Sequence, residues 1–309
     1  MALSRRALLA AAGATLAAAA LAQRADARTL RYVPQGNLQN PDPIWTSSVI
    51  AKIHGYAIWD TLFGLDEKLA PQPQMVGSVD LSDDQRLWRL GLRDGLKFHD
   101  GAAVRSADCV ASIARWSKRD GFGQQLAALL DTMVALDDRR FEIRLTRPFP
   151  KLPLALGSSV CFMMPERMAK TDPYKQITEY VGSGPYVFVQ DQWVSGSRAL
   201  YTRFDGYVPR DEPASFTAGG KRAHFDRLEW VIEPDPATAA AALQTGEVDW
   251  VEQPLADLLP VLRKSRGVTV EALDQFGSVG VIRPNFIHSP FDNKAIRQAI
   301  MPAIDQAAY

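Results

Sequence analysis

Leu92-Arg93-Asp94-Gly95-Leu96-Lys97-Phe98-His99-Asp100-Gly101, followed closely by Ser106-Ala107-Asp108-Cys109-Val110, is the stretch on which the fold turns. Asp-Gly stands at both ends of a short alternating segment, and glycine supplies the positive φ that sharp turns need, so Gly95 and Gly101 read as structural turns. The chain therefore doubles back twice within ten residues and then enters a helix. Ser106 reads as its cap, Asp108 places favourable charge in its first turn, and Val110, Ile113 and Ala114 give it an apolar stripe. Just upstream, Trp88 to Leu92 alternates as a strand; downstream, Phe141 to Leu145 does the same and ends at the turn Arg147-Pro148-Phe149-Pro150. Strand, double turn, helix and strand in one run demand mixed α and β structure.

Working outward, Thr29 to Val33 alternates as a first strand, and the Asn- and Pro-rich segment Gln35 to Pro43 breaks it into a loop. Thr46-Ser47-Ser48 reads as the cap of a first helix, on which Val49, Ile50, Ile53, Ala57 and Ile58 recur at helical spacing. Gly182, Gly184 and Pro185 set a rigid, close backbone ahead of a strand from Tyr186 to Val189. A strand from Arg227 to Ile232, a helix opened by Asp235-Pro236 and a strand from Gly246 to Val251 follow, and the alternation argues an α/β lobe. Gly277 and Gly280 flank a short link, Val281 to Phe286 reads as a further strand, and Asn293 to Met301 begins an amphipathic helix. That helix shows an apolar face which later chain would have to cover, so the end at Tyr309 reads as premature.

The N-terminus bounds the compartment. Ser4-Arg5-Arg6-Ala7-Leu8-Leu9 opens an uncharged run to Ala22, short of the ~20 residues that span a bilayer, with small-residue cleavage sites ending at Ala22 and Ala27. Residues 1–27 thus read as a signal peptide, and the paired arginines fit twin-arginine export, although Ala10 stands where that pattern usually carries Lys; Sec export stays open. Losing Arg5, Arg6, Arg24 and Asp26 with the leader removes three positive charges and one negative from a balanced chain, leaving a net charge of −2. A near-neutral mixed surface offers no footprint for nucleic acid. Cys109 and Cys161 either pair, as an oxidising compartment permits, or serve as two small buried apolar groups. His54, His99, His224 and His288 are scattered without ligand spacing, so no metal site and no cofactor is expected.

Taken together, and in this order, Asp42-Pro43, Asp60-Thr61-Leu62-Phe63, the stretch from Leu92 to Gly101, Gly182-Ser183-Gly184-Pro185-Tyr186, Gln244-Thr245-Gly246-Glu247-Val248-Asp249, Asn285 and Phe291-Asp292-Asn293-Lys294-Ala295-Ile296-Arg297 resemble the family 5 extracellular solute-binding proteins. That family includes peptide, glutathione and nickel receptors of ABC importers. The resemblance implies an α/β, periplasmic-binding-protein-like type II lobe with an inserted α+β subdomain, the second lobe only begun. Residues 28–50 and 182–276 would form lobe I, residues 51–181 the inserted subdomain, and residues 277–309 the hinge crossing and the start of an incomplete lobe II. It further implies a soluble, monomeric periplasmic protein that captures a peptide or peptide-like small solute and delivers it to an inner-membrane ABC permease.

By position in the family, Trp45, Thr46, Ser47, Ser48 and Val49 should face the ligand cleft. Trp45 offers a flat apolar contact and the serines allow close backbone approach, in the manner of strand addition; the alternatives are core packing for Trp45 and a plain helix cap for Thr46 to Ser48. Gly184 and Pro185 set the geometry of a cleft-lining strand, Tyr186 is a candidate contact, and Asn285 is expected to bond ligand or hinge backbone. Two rival readings stand beside the receptor: a truncated remnant with no transport role, which would bind peptides weakly or not at all, and an exported hydrolase. The second lacks any Gly-x-Ser-x-Gly elbow or His-Glu-x-x-His helix.

Overall fold

Alternating apolar residues organise the middle of the chain into an antiparallel sheet, while the outer segments build a second sheet around the first strand. The computed structural model describes residues 28–158, 160–273, 277 and 281–305. The leader expected over residues 1–27 lies outside the described residues, as does Gly280 of the expected link. The chain divides into two compact units, residues 1–268 and residues 269–309.

In the first unit, β1 (Thr29–Val33) leads through a long loop into α1 (Val49–Ile58). A small antiparallel pair, β2 (Phe63–Leu65) and β3 (Pro71–Pro73), follows, and then β4 (Val76–Leu81) and β5 (Leu87–Leu92). The two glycines of the opening stretch take φ of +79° and +86°, so both turns form as the Asp-Gly pattern requires. Next come α2 (Ser106–Trp116), α3 (Gly121–Leu129), β6 (Leu130–Ala135) and β7 (Arg140–Leu145). A four-stranded sheet of order β4-β5-β7-β6 results, antiparallel throughout. Its inward residues Leu90, Leu92, Phe141, Ile143 and Leu145 are buried beneath α2.

Two short helices, α4 (Leu152–Ser158) and α5 (Glu166–Ala169), lead to β8 (Tyr186–Phe188), β9 (Arg198–Arg203) and β10 (Arg227–Val231). After α6 (Pro236–Thr245) comes β11 (Trp250–Val251). The five strands order as β11-β1-β10-β9-β8: β1 runs parallel to both neighbours, and the rest of the sheet is antiparallel. Asp235 caps α6 by accepting the Thr238 N–H at 2.7 Å, Gly246 ends it in the left-handed conformation, and Ala239 packs with Val33 and Val248 on the sheet. A last helix of this unit, α7, spans Leu259–Leu262.

Several details depart from the sequence reading. Ser106 is the first helical residue rather than the cap of α2: Asp108 accepts the Arg105 N–H at 2.7 Å, and the Ser106 hydroxyl instead donates to the Asp137 carbonyl. Ser48 occupies the cap position of α1 without a side-chain cap bond, and its N–H donates to the Thr46 hydroxyl at 3.1 Å, which closes a separate turn ahead of the helix. The buried face of α1 is Ile50, Ala51, His54, Gly55 and Ile58, and Val49 is half exposed. The strand expected from Gly246 shrinks to Trp250–Val251, since Gly246 is spent on the helix terminus.

The second unit contains α8 (Lys294–Ile300), capped by Asn293, which accepts the Ala295 N–H at 2.9 Å. The expected strand from Val281 to Phe286 does not form. Its residues pair with no strand among the described residues, and an extended segment without a partner leaves its backbone to solvent.

Candidate functional site

The loop between β1 and α1 is fastened by a buried ion pair. Asp42 and Arg115 are both fully shielded from solvent; Arg115 Nη2 lies 2.8 Å from Asp42 Oδ2 and Nη1 lies 3.3 Å from Oδ1, so the two meet fork to fork. The remaining capacity of each is used as well. Asp42 accepts the N–H groups of Ile44 and Ile177, and Arg115 donates to the carbonyls of Thr171 and Lys175. Four bonds to Asp42 and four from Arg115 offset much of the desolvation that a buried pair costs.

Beyond Pro43 the loop forms one wall of a pocket of about 260 Å³. Trp45, Thr46 and Ser47 contribute from the loop, Lys52 from the first turn of α1, and Arg119 and Asp120 from the junction of α2 and α3; Ile44, Trp116 and Val160 supply apolar lining. Arg119 Nη2 donates to the Trp45 carbonyl at 3.1 Å, and its guanidinium lies 5.4 Å from the Trp45 ring centre and 5.2 Å from that of Tyr174. Asp120 is the cap of α3, its Oδ1 accepting the N–H groups of Phe122 and Gly123.

Of the residues expected to face a cleft, the structure brings Trp45, Thr46 and Ser47 together at this pocket. Ser48 and Val49 follow them on the exposed start of α1. Tyr186 is elsewhere: it is buried, and its hydroxyl donates to the Phe225 carbonyl at 3.1 Å. Asn285 belongs to the second unit, where Oδ1 accepts the Ile287 N–H at 3.1 Å in a local turn. Lys52 and Arg119 were not legible as site residues, since each reads in sequence as an ordinary charge on a helix.

At the carboxyl ends of β1 and β11, Tyr32 donates to Glu252 Oε2 at 2.5 Å, and the backbone and side chain of Gln35 both donate to the same carboxylate at 2.8 Å. Burial and Glu252 raise the Tyr32 phenol well above its ordinary range. The exposed Trp250 ring packs 4.9 Å from that of Tyr32. In open α/β sheets this end of the parallel strands is where ligands gather.

Two further polar clusters are structural. Asp60 accepts Lys221 Nζ and the Tyr207 hydroxyl, each at 2.8 Å; burial pushes its carboxyl up, but Lys221, the Thr61 N–H and Tyr207 outweigh this and hold it below the ordinary value. His99 accepts the Gly182 N–H at Nδ1 and, in the resulting tautomer, donates from Nε2 to the Gly184 carbonyl at 3.1 Å. Burial lowers its pKa to about 4. Gly184 N–H donates to the Ile58 carbonyl at 3.0 Å, and a Cβ on Gly182 would lie 1.7 Å from that same oxygen, so the close backbone read from the glycines is a contact with the end of α1. Cys109 and Cys161 are both buried free thiols, with burial the main cause of their raised pKa values. Among the described residues no three His, Cys, Asp or Glu side chains gather as a metal site, and no helix is long and apolar enough to cross a membrane.

Comparison with known proteins adds a family to this geometry. The family model described as bacterial extracellular solute-binding proteins, family 5 Middle, matches residues 70–309. A probable peptide ABC transporter periplasmic-binding protein, y4tO, of Sinorhizobium fredii is 41% identical across 100% of this chain and 60% of its own length. The glutathione-binding protein GsiB of Escherichia coli K12 is 27% identical over 88% of this chain and 51% of its own. Among solved structures, a dipeptide binding protein from Pseudoalteromonas sp. SM9913 in complex with Met-Leu superposes with a TM-score of 0.72 at 18% identity, covering 90% of this chain and 57% of that one. NikZ from Campylobacter jejuni in complex with Ni(L-His) gives 0.69 at 19%, covering 91% and 54%. At those identities the structures speak for the fold alone. The chain spans 60% of y4tO and about half of GsiB.

Proposed function

Because the chain belongs to family 5 of the bacterial extracellular solute-binding proteins, a binding family rather than an enzyme family, we propose that it acts as the substrate-binding component of an ABC importer, capturing peptides or peptide-like solutes in the periplasm and presenting them to an inner-membrane permease. The observation that carries the reading is the family match over residues 70–309, joined to the 41% identity with a peptide transporter's periplasmic component. The pocket at Trp45, Thr46 and Ser47 supports it, since these residues supply an aromatic wall and hydroxyls of the kind that hold a peptide while tolerating varied side chains.

Within this reading, residues 28–50 and 182–276 are assigned to a first lobe and 51–181 to an inserted subdomain, and residues 277–309 open a second lobe. The five-stranded sheet draws all its strands from the first set, and the four-stranded sheet lies wholly within the second. Ser48, Val49, Tyr186 and Asn285 remain candidate ligand contacts, and Gly184 and Pro185 hold the strand Tyr186 begins. In such a receptor, closure on ligand is driven by the ligand's higher affinity for the closed state.

The test is thermal-shift and calorimetric titration with a library of di- to pentapeptides. A saturable rise in the unfolding midpoint is expected; a chain whose midpoint no peptide moves is not a peptide receptor.

A further inference from the structure

We propose that the corner formed by Tyr32, Trp250 and Glu252 is a subsite for a cationic side chain, a guanidinium or ammonium group carried on an arm of the solute; the inference rests on the receptor reading and names the class of solute it favours. The charge pattern of the first unit sets this corner apart. Asp226 pairs with Arg28 and Arg203, Glu142 with Arg89 and Arg144, and Glu166 with Arg105 and Lys170. Among the described residues Glu252 instead takes its bonds from neutral donors alone: the Tyr32 hydroxyl, the Gln35 N–H and the Gln35 side-chain amide. Such donors hold a carboxylate in place and favour its ionised form, but they leave its charge uncancelled. A half-buried anion of this kind favours an incoming cation.

Trp250 supplies the wall. It stands opposite Tyr32 across the β1–β11 pair with ring centres 4.9 Å apart, and Tyr32 in turn meets Trp230 edge-on at 5.6 Å. Three aromatic side chains on neighbouring strands therefore form one row, which starts in the apolar core and ends at the edge of the sheet, where Trp250 is 42% exposed. The row steadies the indole, so little side-chain freedom is lost when a ligand stacks on it, and an indole face is the strongest aromatic partner for a cation. Trp250 and Glu252 both touch Tyr32, the one at its ring and the other at its hydroxyl, so a cation resting on the indole lies within reach of the carboxylate. Of the about four acceptor positions on a carboxylate, the Tyr32 and Gln35 donors take three, and one remains for a ligand N–H. A guanidinium can stack flat on the indole while donating to that position; an ammonium makes the same two contacts as a point charge.

The experiment titrates the full 309-residue chain calorimetrically with Ala-Arg-Ala, with Ala-citrulline-Ala as its uncharged isostere, and with Nα-acetylarginine amide, which has neither a free amino group nor a carboxylate. Each titration is repeated with Glu252→Gln and Trp250→Leu, whose far-UV circular dichroism and thermal midpoints are recorded first. The arginine peptide is expected to bind about tenfold more tightly than the citrulline peptide, Glu252→Gln to bring the two within about twofold of each other, and Trp250→Leu to weaken the arginine peptide about threefold. Trp250 is partly exposed on an edge strand, so its variant keeps the fold even where Glu252→Gln does not. Equal affinity for the arginine and citrulline peptides, unmoved by either variant, would overturn the subsite and leave the receptor standing. A chain that binds Nα-acetylarginine amide through Glu252 but takes up neither peptide would keep the subsite and overturn the peptide receptor. No binding of any of the three would overturn both.

Discussion

His99 shows how much one side chain can hold. Its two ring nitrogens bind the backbone on either side of Ser183, and a third bond runs from its own N–H to the Gly182 carbonyl at 2.9 Å. His99→Ala leaves a buried N–H and C=O without partners and is expected to cost about 2–4 kcal/mol, read from urea unfolding at pH 7. Burial also fixes the sign of the pH response. The folded protein holds the His99 pKa near 4 and that of the fully buried His54 near 3, both below the unfolded value of 6.5, so protonation favours unfolding. Their contribution is complete above pH 6.5 and is lost as the pH falls towards 4, at roughly 1.4 kcal/mol per pH unit for each histidine. The same urea series at pH 5 should show a smaller drop in His99→Ala than in the parent; an identical drop in both would refute the assignment. In the sequence, Phe98-His99-Asp100-Gly101 was legible as turn chemistry, and both turns formed. The reach to Gly182 was not legible, because local rules carry no information about a partner more than eighty positions away.

At the scale of elements, the loop from Pro34 to Ser48 depends on Asp42. Asp42→Asn removes the charge that Arg115 was buried to meet, and an expected loss of about 3–5 kcal/mol can be measured by denaturant unfolding. Asp42-Pro43 was visible as a family feature, but its partner lies on a helix whose apolar stripe is the only part that spacing reveals. The first helix carries the same lesson. Its periodicity marked Ile50 and Ile58, which are buried, and Val49, which is half exposed, but passed over His54 and Gly55, which are buried with them and are residue types that an apolar count does not include. A Cβ on Gly55 would come within 2.3 Å of the Phe162 ring, so Gly55→Ala should destabilise by at least about 1–3 kcal/mol, and a neutral result would show that the ring can yield. Likewise Trp45, Thr46 and Ser47 could be nominated through the family, while Lys52 and Arg119 entered only when the helices around them were placed.

At the scale of the whole molecule, the two larger sheets of the first unit share one continuous apolar core: Tyr32, Tyr201 and Trp230 of the five-stranded sheet belong to the same cluster as Leu90, Phe141 and Ile143 of the four-stranded one. A shared core predicts shared cooperativity. Far-UV circular dichroism and tryptophan fluorescence should report coincident thermal transitions for this unit, and two well-separated midpoints would show the sheets to be independent. The position of β1 has a further consequence, for the order of events during synthesis. It is the first strand made, yet it sits between β10 and β11, whose partners for Thr29 and Tyr32 are Arg227 and Trp250. About two hundred residues must leave the ribosome before it has a neighbour, a delay on the order of 10–40 s at ordinary elongation rates. Throughout that interval Tyr32 and Val33, both buried at the end, are exposed on an unpaired strand, which makes the nascent chain a natural client for a holding chaperone.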